Sequence, residues 1–548
     1  MLEALSALYL RHIWITMPNR SPDELFQLIQ TLEKAEKRNF KLFMSRSAAT
    51  EGSKTLQLFD ALEGMDTYDE ALLLRRNRGI SKQQLSNLKS SLQRQLLTSL
   101  RVLRDEDNID IRLHEQLDHA RILYNKGLHQ QSLKALARAK ELARSHHQLT
   151  YWLQALILEK KIESLHITRS FDDRAGELSR EVDELDARIL MIGRLSNLAL
   201  RLYGWYIQRG QMRDRSEEED LRQFFHDNMP EGAAGLTGFY ERLYLHQCHA
   251  WYGFIAQDLL LYYRSCRRWV DLFYEEPHMR KVEAQQYIKG MHNLLNAHFT
   301  LDNPAGFLES LRQFEEFSRS PEACMSLNNR VQTFVYLHLA RINRHYMEGT
   351  FKEGLGLVPD IEEGLEAYAM QIDRHRELVF YYKIACLYFG CGELGDAIRY
   401  LRRIIDGKAD LRADIQCYAR LLHLIAHYED GNFDILESLI KSVYRFMSRM
   451  QNLSAVEREI LSFLQRTFHK DPRRIEPDLR ALREKLLPLE RDPHARRSFM
   501  YLDFVSWLDS AIRRVPVQDV IRERYLRGPR FPGGTGRRRA GQGTTATE

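Results

Sequence analysis

Proline and glycine are scarce in this chain, at 14 and 29 of 548 residues. Both residues interrupt regular backbone, so their scarcity leaves long stretches filled by Leu, Arg, Glu, Gln and Ala, the good helix formers. Runs rich in Val and Ile between glycine turns, the mark of a parallel sheet, do not exceed a few residues, which excludes an α/β enzyme. No apolar run approaches the roughly 18 residues that a membrane span requires. Cysteine is sparse as well. Cys248, Cys266, Cys324, Cys386, Cys391 and Cys417 form no C-x-x-C pair and sit in helical patterns, so they read as buried, reduced thiols instead of metal ligands or disulfides.

At 548 residues and 64.7 kDa the length suits about three ordinary domains or one extended array whose core grows lengthwise. Residues 1–16 are apolar and aromatic, yet carry Glu3, Arg11 and His12 and lack a small-residue cleavage site, so they make a poor signal peptide. Met17 precedes a polar stretch that runs into a helix start, and residues 1–16 are read as a leader that is dispensable and not necessarily translated. A cytoplasmic location is expected.

The formal net charge of +5 comes from the ends. Residues 522–539 hold seven Arg and one Glu, and residues 17–104 hold 15 Lys or Arg against 10 Asp or Glu. The body between is mildly acidic. Residues 517–548 form a basic tail, and from about residue 528 it is rich in Gly, Pro and Thr, a composition that builds no core and is expected to be disordered. Its Arg537-Arg538-Arg539 triplet is read as a solvated tail, with nucleic acid or an acidic surface as the other option.

Amphipathic helix pairs recur through the middle of the chain. In the clearest, Tyr381, Ile384, Ala385 and Tyr388 alternate large and small residues on a first helix, Gly392 makes a turn, and Ala397, Leu401 and Ile404 line a second helix. A second copy places Ala120, Leu123, Gly127, Ser132, Leu136 and Ala139 in corresponding positions, and weaker ones turn at Gly349 and Gly431. A small residue on each helix allows close approach, and glycine takes a turn geometry forbidden to bulkier residues. The pattern resembles the tetratricopeptide repeat. Further turns read near Phe171-Asp172-Asp173, at Gly210, near Gln257-Asp258 and near Asp302-Asn303-Pro304 give a spacing of about 43 residues, longer than the ~34 of the standard unit and overlapping HEAT and armadillo lengths. The resemblance implies an all-α, right-handed α-solenoid of degenerate helix pairs over residues 108–450. Residues 451–516 then read as helices capping its end.

Residues 17–107 read as a separate helical module. Ser21-Pro22-Asp23-Glu24 has the form of a capping box with proline at the first helical position, and Ser81 followed by Gln84 starts its last helix. Between residues 75 and 104 the chain has eight basic residues and no Asp or Glu, in a helix, short turn and helix. Arg75, Arg76, Arg78, Lys82, Lys89 and Arg94 are candidate nucleic-acid contacts on a helix-turn-helix outline; a solvated basic face has the same appearance. The module, with Glu33-Lys34-Ala35-Glu36-Lys37-Arg38 before Phe40, resembles uncharacterised bacterial repeat proteins, a likeness that brings no activity with it.

Reactive chemistry finds little support. His114 and His119 are five residues apart, which turns them away from each other on a helix, whereas a zinc protease needs a four-residue spacing. His146 and His147 read as a helix end, and Ser216 with Glu217, Glu218, Glu219 and Asp220 reads as a capped first turn. No phosphate-binding, nucleophile-elbow or dinucleotide glycine motif is present. The expectation is a non-enzymatic interaction scaffold without catalytic residue, cofactor or metal, binding a protein or peptide on the inner faces of its first helices. The stretches Trp251–Tyr263 and Tyr381–Phe389 are candidate contributors to that face, though most of their rings read as core. The alternative is a nucleic-acid-binding regulator whose basic module contacts DNA or RNA while the helix pairs receive a partner.

Overall fold

Short polar side chains open many of the helices by accepting a backbone N–H from the first turn. Asp69, Asn108, Asp258, Ser326 and Asp373 do so, Asn303 does so ahead of Pro304 at the first helical position, and Ser454 forms a full capping box with Glu457. Two starts differ from the sequence reading by two residues. Asp23, not Ser21, caps the first described helix, and Asp214, not Ser216, caps the acidic one; each carboxylate holds the N–H three residues ahead. The computed structural model describes residues 23–46, 50–77, 79–103, 108–166, 173–212, 214–407, 413–450, 453–470, 474–492 and 495–528. Residues 1–22, which hold the leader, and the tail beyond residue 528 lie outside them, as does Arg78.

Among the described residues all regular structure is helical. The longer helices are α1 (Glu24–Gln30), α2 (Lys34–Arg46), α3 (Thr50–Glu63), α4 (Glu70–Arg76), α5 (Lys82–Leu103), α6 (Ile109–Asn125), α7 (His129–Ser145), α8 (Leu149–His166), α9 (Arg174–Arg209), α10 (Arg215–Asn228), α11 (Phe239–Ile255) and α12 (Leu259–Glu275). They continue as α13 (Ala284–Thr300), α14 (Pro304–Phe317), α15 (Leu327–Glu348), α16 (Val358–Ala367), α17 (Arg374–Gly390), α18 (Leu394–Ile405), α19 (Ala413–Glu429), α20 (Phe433–Arg449), α21 (Ala455–Thr467), α22 (Glu476–Arg491), α23 (Phe504–Arg513) and α24 (Val517–Arg527). None is long and apolar enough to cross a membrane.

The chain divides into two compact units, residues 1–178 and 179–548. In the first, α1 to α5 enclose a core that includes Phe40, Phe59, Leu92 and Leu96. In the same unit α6 packs on α7 and α7 on α8. Ala120 and Ala139 are buried at the α6–α7 contact, and buried Ser132 donates its hydroxyl to the Ala120 carbonyl at 2.8 Å, so a polar atom inside the pair is satisfied. Glu159 on α8 is buried between Lys140 at 2.8 Å and Arg174 at 2.5 Å.

The second unit adds helices in neighbouring pairs, α11 with α12, α13 with α14 and α15, α17 with α18, and α19 with α20. Positive φ occurs at Gly127, Asp173, Gly210, Gln257, Asp302, Gly349, Gly392 and Gly431, one at each turn of the helix pairs read in the sequence. Ala385 and Ala397 are fully buried where α17 meets α18. Cys248, Cys266, Cys386 and Cys417 are buried and Cys391 is half-buried, but Cys324 is exposed near the end of a short helix, which corrects the reading of all six as buried.

The helices after residue 450 touch helices far earlier in the chain. Tyr382 donates to the carbonyl of Tyr501, Tyr418 stacks on Tyr501 with ring centroids 4.0 Å apart, and the Trp507 indole donates to Glu429 at 2.9 Å. The last described helix, α24, packs on α15. Arg522 donates to the Glu348 carbonyl at 3.0 Å, and a Cβ on Gly349 would collide with the Arg522 backbone. Residues 517–527, placed in the tail by the sequence reading, are therefore a packed helix.

Candidate functional site: a cationic and aromatic cavity

Three successive first helices, α13, α15 and α17, carry polar residues on one face at helical spacing. On α13 these are Gln285, Gln286, Lys289, His292, Asn293 and Asn296; on α15, Gln332 and Asn343, with Val335, Tyr336 and Leu339 between them on the same face; on α17, His375, Arg376 and Lys383, with Val379 between the last two. The opposite faces are dry, with Ile288, Leu295, Val331, Ile342, Ile384 and Leu387 buried. A polar stripe on an otherwise apolar helix faces water or a ligand. Here it faces a cavity of 1790 Å³ in the second unit. Tyr203, Tyr206, Trp251 and Phe254 make its aromatic wall, and Arg483, Glu490, Phe499 and Asp509 from the segment after residue 450 also line it.

Charge in this cavity is unevenly compensated. Arg376 pairs with Asp373 at 2.5 Å, and Arg483 with Asp509 at 2.5 Å. Lys289 has no carboxylate within ion-pair distance among the described residues; its ammonium lies 5.8 Å from the Tyr203 ring centroid and 5.9 Å from that of Trp251. Lys383 donates to the Asn343 amide oxygen at 2.7 Å and lies 5.0 Å from the centroid of Tyr346, again without a carboxylate. Burial pushes Lys383 down to about 8, and burial followed by the charge of Arg376 lowers Lys289. His292, stacked on Tyr336 at 4.2 Å, is pushed to about 4 by burial and then by Lys383, Lys289 and Arg376, so the three cations converge on one neutral imidazole. The Gln332 side-chain oxygen is buried and accepts no hydrogen bond.

In the first unit the sequence-defined basic residues are dispersed. Arg75 and Arg76 are exposed at the end of α4, and Lys82 and Arg94 are exposed on α5. Lys89 is instead half-buried, bound to Asp23 at 2.8 Å and to the Tyr68 hydroxyl. Against the pull of burial, those two bonds raise its pKa. Arg94 and Arg101 share a shallow hollow on α5 with Ser90, Gln93, Leu97 and Thr98. Ser81 accepts the Gln84 N–H at 3.3 Å, as a helix start requires. His114 makes an edge contact with Tyr151, and His119 lies 3.9 Å from Glu115.

No family model, curated protein or solved structure matches this chain. Aromatic runs in the sequence mark the cavity only in part. Trp251, Phe254 and Tyr262 do line it, whereas Tyr381 and Tyr388 pack around Tyr400. The available signal was the polar stripe from Gln285 to Thr300 and its counterparts on α15 and α17.

Proposed function

We propose that this chain is a non-enzymatic binding protein, a helix-pair scaffold of the tetratricopeptide type that receives its partner in the cavity faced by α13, α15 and α17. The observation that carries this reading is the alignment of three polar stripes from separate helix pairs on one space. Helices that merely filled a core would turn few amides and ammonium groups to that side, because removing them from water costs free energy even when they are partly hydrogen-bonded. The partner meets amide, aromatic and cationic groups, a lining suited to an extended peptide or a small polar molecule. Affinity capture from the native cell tests the reading, using the full chain beside a variant whose cavity is filled by Asn296→Trp and Gln332→Trp. Loss of the captured partner in the filled variant is the expected result. Identical partners with both would overturn it.

A second reading has its own support in the basic module, where α5 has no acidic residue and leaves Lys82, Arg94 and Arg101 exposed. Duplex DNA or RNA would contact these cations through phosphates, with affinity falling steeply as salt rises. A salt-dependent mobility shift of the full chain that weakens in an Arg75→Gln, Arg76→Gln, Arg94→Gln variant would favour this reading. Absence of binding at low salt would reject it.

A further inference from the structure

The compensation of charge in the cavity identifies what it holds. Arg376 and Arg483 already have carboxylates, whereas Lys289 and Lys383 have only rings and one amide oxygen for company. Both ammonium groups are half-buried and both bear on His292, so each gives up part of its hydration. A polypeptide relieves that cost most simply by substituting Met or Gln. The lining holds Asp373, Glu490 and Asp509 against four cations, yet no carboxylate of the described residues, Glu490 included, is within ion-pair distance of Lys289 or Lys383; two such lysines on different helix pairs, facing the same space as His292, suit a site for an anionic ligand. The segment after residue 450 supplies the second constraint. Phe499, Met500 and Glu490 also line the cavity, so an occupant lies between the inner helices and the segment from α22 to α23. A folded protein domain is far larger than 1790 Å³, whereas a small organic molecule fits with room for water.

From these observations we infer that the cavity binds a small dianionic organic molecule, a phosphate monoester or a dicarboxylate, with Lys289 and Lys383 as its two charge partners and the Tyr203 and Trp251 rings beside its body. The inference rests on the binding-protein reading and gives the ligand class of the same site. Phosphate monoesters carry close to two charges at neutral pH, and a dicarboxylate carries two, so either neutralises both lysines. Asn293, Asn296 and Gln332 each donate one amide N–H within the protein, to the Lys289 carbonyl, the Tyr262 hydroxyl and the Gln285 amide oxygen, which leaves the second N–H of each for hydroxyl or carbonyl groups of the ligand. The Gln332 oxygen, buried without a donor, is placed to accept one.

Pyridoxal 5′-phosphate is a suitable probe, since it is a small aromatic dianion with an aldehyde. A neutral lysine amine adds to that aldehyde and water leaves; borohydride then delivers hydride to the resulting imine carbon and fixes the adduct as a secondary amine. Peptide mass mapping of the full-length protein should find Lys383 or Lys289 labelled at least tenfold faster than surface lysines by the phosphate-bearing aldehyde, and should find no such preference with pyridoxal, which lacks the phosphate. Glycerol 3-phosphate and succinate are then added as competitors: protection by the first assigns a phosphate ester, by the second a dicarboxylate, and by both the shared dianion chemistry. Lys289→Met should slow labelling of Lys383 about tenfold, the equivalent of one charge partner, while circular dichroism is unchanged. Labelling spread evenly over the surface, equal reaction with both aldehydes, or protection by neither competitor overturns the dianion site. Those outcomes leave the filled-cavity capture experiment to decide the binding-protein reading separately.

Discussion

Lys383→Met should stabilise the protein in buffer free of phosphate and carboxylates, and the gain should disappear as the pH is raised. A lysine held at about 8 in the fold against 10.5 in the unfolded chain binds its proton less well when folded. Below pH 8 both states are protonated and the fold bears the whole cost of the buried charge, roughly 3 kcal/mol. Between pH 8 and 10.5 the folded protein releases the proton first, so the unfolded state binds more protons and stability rises with pH. Above 10.5 both states are neutral and the cost is gone. Methionine has similar length and no charge, so the variant lacks this pH dependence, less about 1 kcal/mol for the lost bond to Asn343. For the unit of residues 179–548, an unfolding entropy of about 0.8 kcal/mol per kelvin converts a net gain of roughly 2–3 kcal/mol into about 3–4 °C. Thermal unfolding of both proteins at several pH values from 7 to 10 checks this. The titrating neighbours, Lys289, His292, Arg376, Tyr346, Tyr382 and Cys386, are common to both and largely cancel in the difference. A midpoint difference that stays constant across this range, or a variant less stable at pH 7, would refute the argument that Lys383 is a charge retained at the expense of stability.

Gly349→Ala should loosen the last helix, because its left-handed φ of 65° disfavours a side chain and the new Cβ meets the Arg522 backbone. A loss of about 2 kcal/mol or more, with faster amide exchange in residues 517–527, is expected; unchanged exchange there would reject the docking contact. Ser132→Ala should cost about 1 kcal/mol of stability in the first unit, since only one hydrogen bond to the Ala120 carbonyl is lost, and a neutral substitution would show that the bond adds nothing. Glu159→Gln should reduce the acid sensitivity of the first unit. Although burial works against it, Lys140 and Arg174 depress this carboxylate, so its stabilisation is present above its unfolded pKa and is lost as pH falls through the folded one. An unchanged acid-unfolding midpoint would contradict that assignment.

Turns were the most legible part of the fold. Glycine, or Gln257 and Asp302 where glycine is absent, stands at positive φ where a first helix ends, and the steric rule behind it is local. Helix starts were legible to within two residues, because Ser21 and Asp23, like Ser216 and Asp214, are both competent caps and only the path of the preceding chain chooses between them. The interior contact of Ser132 is also local to its helix pair. What could not be read was distance in sequence: nothing about Arg522 or Tyr501 announces that they meet Glu348 and Tyr382. The cavity stood between these cases, since its polar stripes are visible helix by helix but their convergence depends on how the pairs stack.

The contact of Arg522 with Glu348 spans 174 residues. Helices that touch only their neighbours come apart piecemeal, since an end unit frays without disturbing the middle. Clipping α24 to α15 closes a loop through every helix between them. Opening any one pair in that loop strains the clip. Local contacts thus become one mechanical circuit, and loss of the clip is expected to convert a single sharp unfolding transition of this segment into a series of shallow ones.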